Sequence, residues 1–311
     1  MLSLVLRFVL HTGWKLKPSP KPFLLLAKNN QSLKAEILEL NSGGSLHFHL
    51  SNERPKFCVG YNNHFGERVP CPDSAMVRSY GFRCQRCSFH EFFLCRAICN
   101  GDVCQPSSEA AKKHCWQTTT GVYLTSVAGI LKVGTSTNPL RRWLEQGSDA
   151  GVVIAEGVGL IPRALEYEIG QLPAFRLAVR MNQKLKHLGV KESREELLSR
   201  LENAIDEIFS LGINSEILFP LDTIPPITFL DEYYGAIPKM NTQPIIKKIG
   251  KKGLELSGTI VGIKGMILVI KTGQTYQATN LSRLIGRYIE LSKEPFEKKG
   301  QRSLFEFVTD D

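Results

Sequence analysis

No stretch of this 311-residue chain is long and apolar enough to cross a bilayer. The opening MLSLVLRFVL is apolar, but Arg7 interrupts it and it is far too short to span. It has no basic segment before it and no small-residue cleavage site after it, so it reads as a strand rather than a signal. The expected compartment is the cytoplasm, with no membrane partner. Acidic surplus is also missing: 39 Lys and Arg stand against 30 Asp and Glu, a net charge of +9. There is no internal repeat, which argues against a solenoid or propeller. Cysteine is absent outside the interval from Cys58 to Cys115, although the chain holds eight.

What is present fits a globular protein of two or three domains, with 42% hydrophobic and 22% charged residues. The positive charge is concentrated. Residues 236–305 hold 13 Lys and Arg against 4 Asp and Glu, while the rest of the chain balances at 26 against 26. Such a basic segment points to a polyanionic partner, nucleic acid above all.

Residues 1–54 read as a β segment. Leu33, Ala35 and Ile37 alternate with Lys34 and Glu36, and the phase then slips to Leu38 and Leu40. The slip predicts a β-bulge near Ile37-Leu38. Leu46, Phe48 and Leu50 alternate with His47 and His49 beyond Gly43-Gly44, which predicts a hairpin with both histidines on its wet face.

Residues 55–116 form a cysteine-rich module. Clustered cysteines in a cytosolic chain read as metal ligands before disulfides. Cys84-Gln85-Arg86-Cys87 has the C-x2-C spacing that grips one tetrahedral ion from a tight turn. Cys58 and Cys71 precede it, and Cys95, Cys99, Cys104 and Cys115 follow. Eight thiols suffice for two four-cysteine zinc sites. One grouping joins Cys58, Cys71, Cys84 and Cys87 and leaves the other four together, but crossed groupings fit the spacing equally. A module this polar needs a metal to fold.

Residues 117–216 form an α/β domain with trailing helices. Val122-Tyr123-Leu124-Thr125 and Ile130 to Gly134 read as paired strands. Asn138 caps a helix begun by Pro139 and ended by Gly147. Pro162 starts a second helix, with Leu165 and Ile169 inward, and Ser193 to Glu196 is a capping box for a third. Residues 217–244 read as a proline-rich connector, 245–292 as a basic small β domain, and 293–311 as a polar tail. The fold class is therefore α+β.

The central domain carries the parts of a phosphodiester-cleaving site. Tyr123 offers a phenolic oxygen as base or water-positioning group. Arg142 offers a guanidinium fork for phosphate oxygens, Glu168 a carboxylate for Mg²⁺, and Lys132 extra positive charge. Glu166 competes with Glu168, because two positions on a helix lie about 200° apart and only one can face the site. Arg141 and Lys264, the latter between Gly262 and Gly265, are candidate nucleic-acid contacts.

Gly121-Val122-Tyr123 and Lys132-Val133-Gly134 resemble the two signature triplets of the GIY-YIG nuclease superfamily. Arg142 falls at that superfamily's arginine and Glu168 at its metal-binding glutamate. Lys132 stands in place of the second tyrosine, and Gln146 where a histidine is often found. The resemblance implies hydrolysis of one DNA strand with a single divalent ion. Over residues 55–291 the order of Cys58-Val59-Gly60-Tyr61, Cys84-Gln85-Arg86-Cys87, the two triplets, Arg141-Arg142-Trp143 and Gly262-Ile263-Lys264-Gly265 is similar to an uncharacterised prokaryotic family labelled domain of unknown function 2797. The expected protein is a zinc-stabilised, Mg²⁺-dependent nuclease. The alternatives are a non-catalytic DNA- or RNA-binding protein on the same scaffold, and a thiol-redox or metal-handling protein.

Overall fold

The computed structural model describes residues 4–78, 81–92, 94–190, 192–213 and 216–296. Most of the expected polar tail, 297–311, lies outside them.

Strands from the two ends of the chain build one nine-stranded sheet. The N-terminal strands are β1 (Val5–Lys15), β2 (Lys21–Ala27), β3 (Ala35–Glu39) and β4 (Ser45–Leu50). Further along come β5 (Tyr61–Asn62), β6 (Arg68–Val69) and helices α1 (Gln85–Phe89) and α2 (Glu109–Gln117). The central part holds β7 (Thr120–Val127), β8 (Ile130–Ser136), α3 (Pro139–Gln146), β9 (Ala150–Gly157) and α4 (Ile161–Gly170). Helices α5 (Met181–Lys186) and α6 (Arg194–Ser210) follow, then β10 (Thr228–Phe229) and β11 (Ile245–Ile246). The chain closes with β12 (Leu254–Lys264), β13 (Ile267–Thr272), β14 (Thr275–Asn280) and β15 (Tyr288–Ser292).

The large sheet runs β11-β14-β13-β12-β4-β15-β1-β2-β3. All its pairings are antiparallel except β11 on β14. The N-terminal and C-terminal β segments, read above as separate units, therefore share one core. Phe8, Trp14, Leu24, Phe48, Leu256 and Leu268 are all buried in it.

Two N-terminal expectations change. The Gly43-Gly44 turn does not close a hairpin: β3 pairs with β2, whereas β4 lies between β12 and β15. The register between β2 and β3 runs without a break from Phe23↔Glu39 to Ala27↔Ala35, so the Ile37-Leu38 bulge is not there. The irregularity falls in β1, between Val9 and His11. Strand β4 is internal, so the expected wet face is largely covered: His47 is buried and His49 is half-buried. His47 is buried with Nδ1 2.7 Å from Ser257 Oγ, and His49 Nδ1 lies 3.5 Å from Glu290 on the neighbouring strand.

The second sheet runs β10-β9-β7-β8. Strand β7 is buried along nearly its whole length because both faces are covered. Val122 and Leu124 face a core shared with α4 and α6, while Tyr123 on the opposite face joins the core of the large sheet with Trp143 and Leu144 of α3. Local chemistry sets the helices. Asn138 accepts a bond from the Arg141 amide at 3.1 Å, and Gly147 ends α3 in the left-handed conformation. Ser193 and Glu196 exchange reciprocal bonds at the start of α6.

Residues 217–244 are more than a connector. Leu230, Tyr234, Ile237 and Met240 are buried, and the Tyr234 hydroxyl donates to Ser148 O at 2.6 Å. The segment packs between the two sheets. Among the described residues no helix is long and apolar enough to cross a membrane.

Candidate functional site

The fold brings two groups of chemically active side chains into view. The first is the cysteine module. Cys58, Cys71, Cys84 and Cys87 place their sulfurs within 4.8 Å of one another. Cys84 caps α1 and Cys87 lies in its first turn. Cys71 Sγ and Cys84 Sγ stand 3.8 Å apart, close to the edge of a tetrahedron with bonds of about 2.3 Å, which is about 3.8 Å. The amides of Gly60 and Cys84 donate to Cys58 Sγ at 3.4 and 3.2 Å, as suits a thiolate. Burial pushes the Cys58 and Cys87 thiols up when no cation is present. A bound ion reverses that preference, so the cluster is compatible with a structural zinc. Arg68 fastens the module to the large sheet, giving its fork to Val59 O, Ser32 O and Asn30 O at 2.8, 2.6 and 2.6 Å.

Cys95, Cys99, Cys104 and Cys115 do not form a second cluster of that kind. Among the described residues no other group of three or more potential ligands closes to the same spacing. All four instead line a cavity of about 370 Å³ against the start of α4.

The second group lines an open cleft of about 380 Å³ between β7, β8, α3, α4 and α5. Tyr123, Lys132, Thr135, Arg142, Gln146, Arg163, Glu166 and Lys184 contribute to its wall. Tyr123 reaches it only because residue 134 is glycine: a β-carbon there would stand 2.4 Å from the Tyr123 hydroxyl. Gln146 Nε2 donates to that hydroxyl at 3.0 Å. Burial raises the Tyr123 phenol above its ordinary value, so it stays protonated at neutral pH. Lys132 is also buried, donating to Val133 O at 2.8 Å and lying 5.7 Å from the centre of the Tyr123 ring. Burial pulls its pKa down to about 8. Lys184 donates to Gln146 O at 2.7 Å and is likewise pulled down to about 8 by burial, with Arg142 adding to the effect.

The carboxylate of the cleft is Glu166. Its Oε2 accepts from Thr135 Oγ1 at 3.0 Å and pairs with Arg163 Nη1 at 2.6 Å. Glu168, the position favoured by the motif, is exposed and outside the cleft. Leu165 and Ile169 point inward, and the two glutamates flank that buried face on opposite sides. Which flank meets β8 depends on how α4 lies across the sheet.

Arg142 is half exposed at the cleft, with Nη1 3.7 Å from Glu145 Oε2. Arg141 points elsewhere and pairs with Glu145 at 2.9 Å. Lys264 is not in the cleft wall either. It forms an ion pair with Asp149 and lies 5.8 Å from the Tyr234 ring centre. The Gly262-Ile263-Lys264-Gly265 stretch is an assembly contact: a β-carbon at Gly265 would come 2.9 Å from the Gly147 amide, and Trp14 Nε1 donates to Gly265 O at 3.2 Å. The turn after β12 thereby docks on the end of α3. Trp143 is buried edge-on to Tyr123, with ring centres 5.9 Å apart, and serves the core rather than a stacking surface.

Residues 78–287 match the family described as "Protein of unknown function (DUF2797)". The chain belongs to that family. The DUF2797 match contains the whole cleft together with Cys84 and Cys87, while Cys58 and Cys71 precede it. No curated protein and no solved structure matches the chain. Thr135, Arg163 and Lys184 were not among the sequence candidates for this DUF2797 cleft. Arg163 had one available signal, its position three residues before Glu166 on one helix flank. Lys184 had only a basic helix to recommend it.

Proposed function

We propose that this protein binds a nucleic-acid strand by its phosphodiester backbone in the cleft and hydrolyses it there with a divalent metal ion, on a GIY-YIG-like domain held beside a zinc-stabilised cysteine module. One observation carries the reading: four cations, Lys132, Arg142, Arg163 and Lys184, converge with Tyr123 around the single carboxylate of Glu166. Such a surplus of positive charge, with Lys132 buried and the others partly exposed, suits a polyanion. The β8-β7-β9 antiparallel order, with α3 and α4 bearing the arginine and the glutamate, supports the superfamily resemblance.

A metal ion fits the donors present. Mg²⁺ commonly takes one or two carboxylates and completes its shell with water and substrate phosphate. Both bonds to Glu166 fall on Oε2, and none among the described residues falls on Oε1. Glu166 would hold the ion, which when bound would supply charge neutralisation at the scissile phosphate. Arg142 and Lys184 hold the non-bridging oxygens, and Arg163 offsets negative charge that develops on them. The Tyr123 phenol, kept protonated by burial, orients the attacking water as a hydrogen-bonding group. Lys132, with a pKa of about 8, remains mostly protonated at neutral pH and adds positive charge beside the scissile phosphate. A second basic groove, lined by Lys247, Lys248, Arg283 and Arg287 beside α5, extends the surface offered to the backbone.

The test is nicking of circular duplex DNA, and of single-stranded DNA and RNA, with Mg²⁺. Wild type and Glu168→Gln are expected to cleave and Glu166→Gln to be inactive. Cleavage by Glu166→Gln at the wild-type rate would sink the reading. The raised phenol of Tyr123 and its bond from Gln146 favour a second reading, binding without turnover. It predicts salt-dependent affinity with no cleavage by any of the three proteins.

A further inference from the structure

The four cysteines outside the zinc-compatible cluster share one cavity, and the chain has shaped its surroundings. Cys95, Cys99, Cys104 and Cys115 line a space of about 370 Å³, roughly the volume of a dozen liquid waters at about 30 Å³ each. A single zinc ion needs its four sulfurs about 3.8 Å apart. The first cysteine set meets that spacing, whereas no three of these four sulfurs lie within 4.8 Å of one another. In an iron–sulfur cluster the thiolates bind different metal atoms at the corners of a larger body, so they stand further apart.

We propose that Cys95, Cys99, Cys104 and Cys115 hold an iron–sulfur cluster in this cavity. The four residues come from three consecutive pieces of chain. Cys95 and Cys99 are one turn apart, joined by the Cys99 amide donating to Cys95 O at 3.1 Å. Cys104 follows on the next loop. Cys115 lies on α2, its thiol 3.5 Å from Gly159 O and its carbonyl accepting the Gly159 amide at 3.1 Å. Ser107 Oγ donates to Phe92 O at 2.6 Å and lies 3.8 Å from Cys95 Sγ, which places a polar group beside that sulfur. Lys112 and Arg163 also line the cavity and offset the charge of four thiolates, against Asp102.

The location joins this centre to the phosphodiester cleft. Thr135 and Arg163 line both spaces. The loop between Cys99 and Cys104 presses on α4 so closely that a β-carbon at Gly101 would stand 2.2 Å from the Ala164 amide. Cluster assembly therefore fixes the loop that supports the helix bearing Arg163 and Glu166. The site itself stands on the cysteines and the cavity, independently of whether the cleft hydrolyses anything.

The experiment reconstitutes the full chain anaerobically with ferric iron, sulfide and dithiothreitol, then measures iron, acid-labile sulfide and zinc. The expected result is iron and sulfide in equal amounts, a broad visible absorbance, and one zinc per chain. Cys99→Ser and Cys104→Ser should lose iron, sulfide and absorbance while keeping the one zinc, which reports that the module still folds. Two zinc ions per chain with no iron uptake would overturn the proposal. So would four thiols that titrate freely in the native protein after reconstitution, or iron retained by both variants.

Discussion

Replacing Lys132 by Met should stabilise the protein while abolishing the nucleic-acid cleavage proposed for it. Lys132 is only 8% exposed, and burial lowers its pKa from 10.5 to about 8. At about 1.4 kcal/mol for each tenfold change in proton affinity, holding the charged form in the folded protein at pH 7 costs about 3 kcal/mol. Methionine has nearly the same length and shape, so repacking is minor. The substitution gives up the bond to Val133 O, worth about 1 kcal/mol, and the cation near the Tyr123 ring, worth about 0.5–1 kcal/mol. A net gain of about 1 kcal/mol remains. Its pH dependence is diagnostic. Above about 8 the folded wild type releases the proton, whereas the unfolded chain holds it up to about 10.5. Wild-type stability therefore rises relative to the variant across that window, and the variant's advantage fades. Urea denaturation at pH 7 and pH 9.5 reads both effects. A variant less stable than wild type at pH 7, with a difference that does not change by pH 9.5, would refute the burial argument.

Other expectations follow from the same geometry. Gly134→Ala, whose β-carbon would meet the Tyr123 hydroxyl at 2.4 Å, should displace the ring and cost about 1–3 kcal/mol, read by denaturation and by loss of the Tyr123–Gln146 contact. Affinity for a short single-stranded oligonucleotide should fall as pH rises through about 8, because Lys132 and Lys184 lose charge there; fluorescence anisotropy across pH 6.5–9.5 measures it, at an assumed fixed salt of about 0.1 M. Cys71→Ser should lower bound zinc by one ion per chain and destabilise the cysteine module by several kcal/mol, with metal analysis and limited proteolysis as the readouts. Lys264→Met should leave nucleic-acid affinity unchanged while loosening the α3 docking contact, since its charge is committed to Asp149.

The parts of this fold written in local pattern were legible from the sequence, and those set by distant pairing were not. Asn138, Pro139 and Gly147 bound one helix, and Ser193 with Glu196 starts another, because caps act within one turn. The C-x2-C turn announced a cysteine cluster able to hold a metal ion for the same reason. The alternation around Gly43-Gly44 looked like a hairpin, yet β4 takes its partners from residues 254–259 and 290–292. Nothing near residue 45 encodes those neighbours. Burial of His47 and partial cover of His49 also undid the inference that both histidines lie on a wet face, since period-two alternation says which residues share a face and not whether that face is covered. The choice between Glu166 and Glu168 failed in a similar way: helical phase placed both beside the buried stripe, and only the docking of α4 on β8 separates them.

The cleft departs from what stability alone would select, and the departure is itself informative. Two lysines are buried far enough to lose about two and a half decades of proton affinity. The one carboxylate among four cations is already held by Arg163. A fold would be firmer with apolar residues at positions 132 and 184. Neither lysine bridges to an acidic partner; their bonds go to the carbonyls of Val133 and Gln146. Arg142 and Arg163 each have a carboxylate beside them, Glu145 at 3.7 Å and Glu166 at 2.6 Å, so the charge without a matching acid belongs to the two lysines, and it is this charge that the proposed anion would meet. Under the proposed function a phosphodiester would fill that role, raising the lysine pKa values on binding and returning the burial cost as affinity.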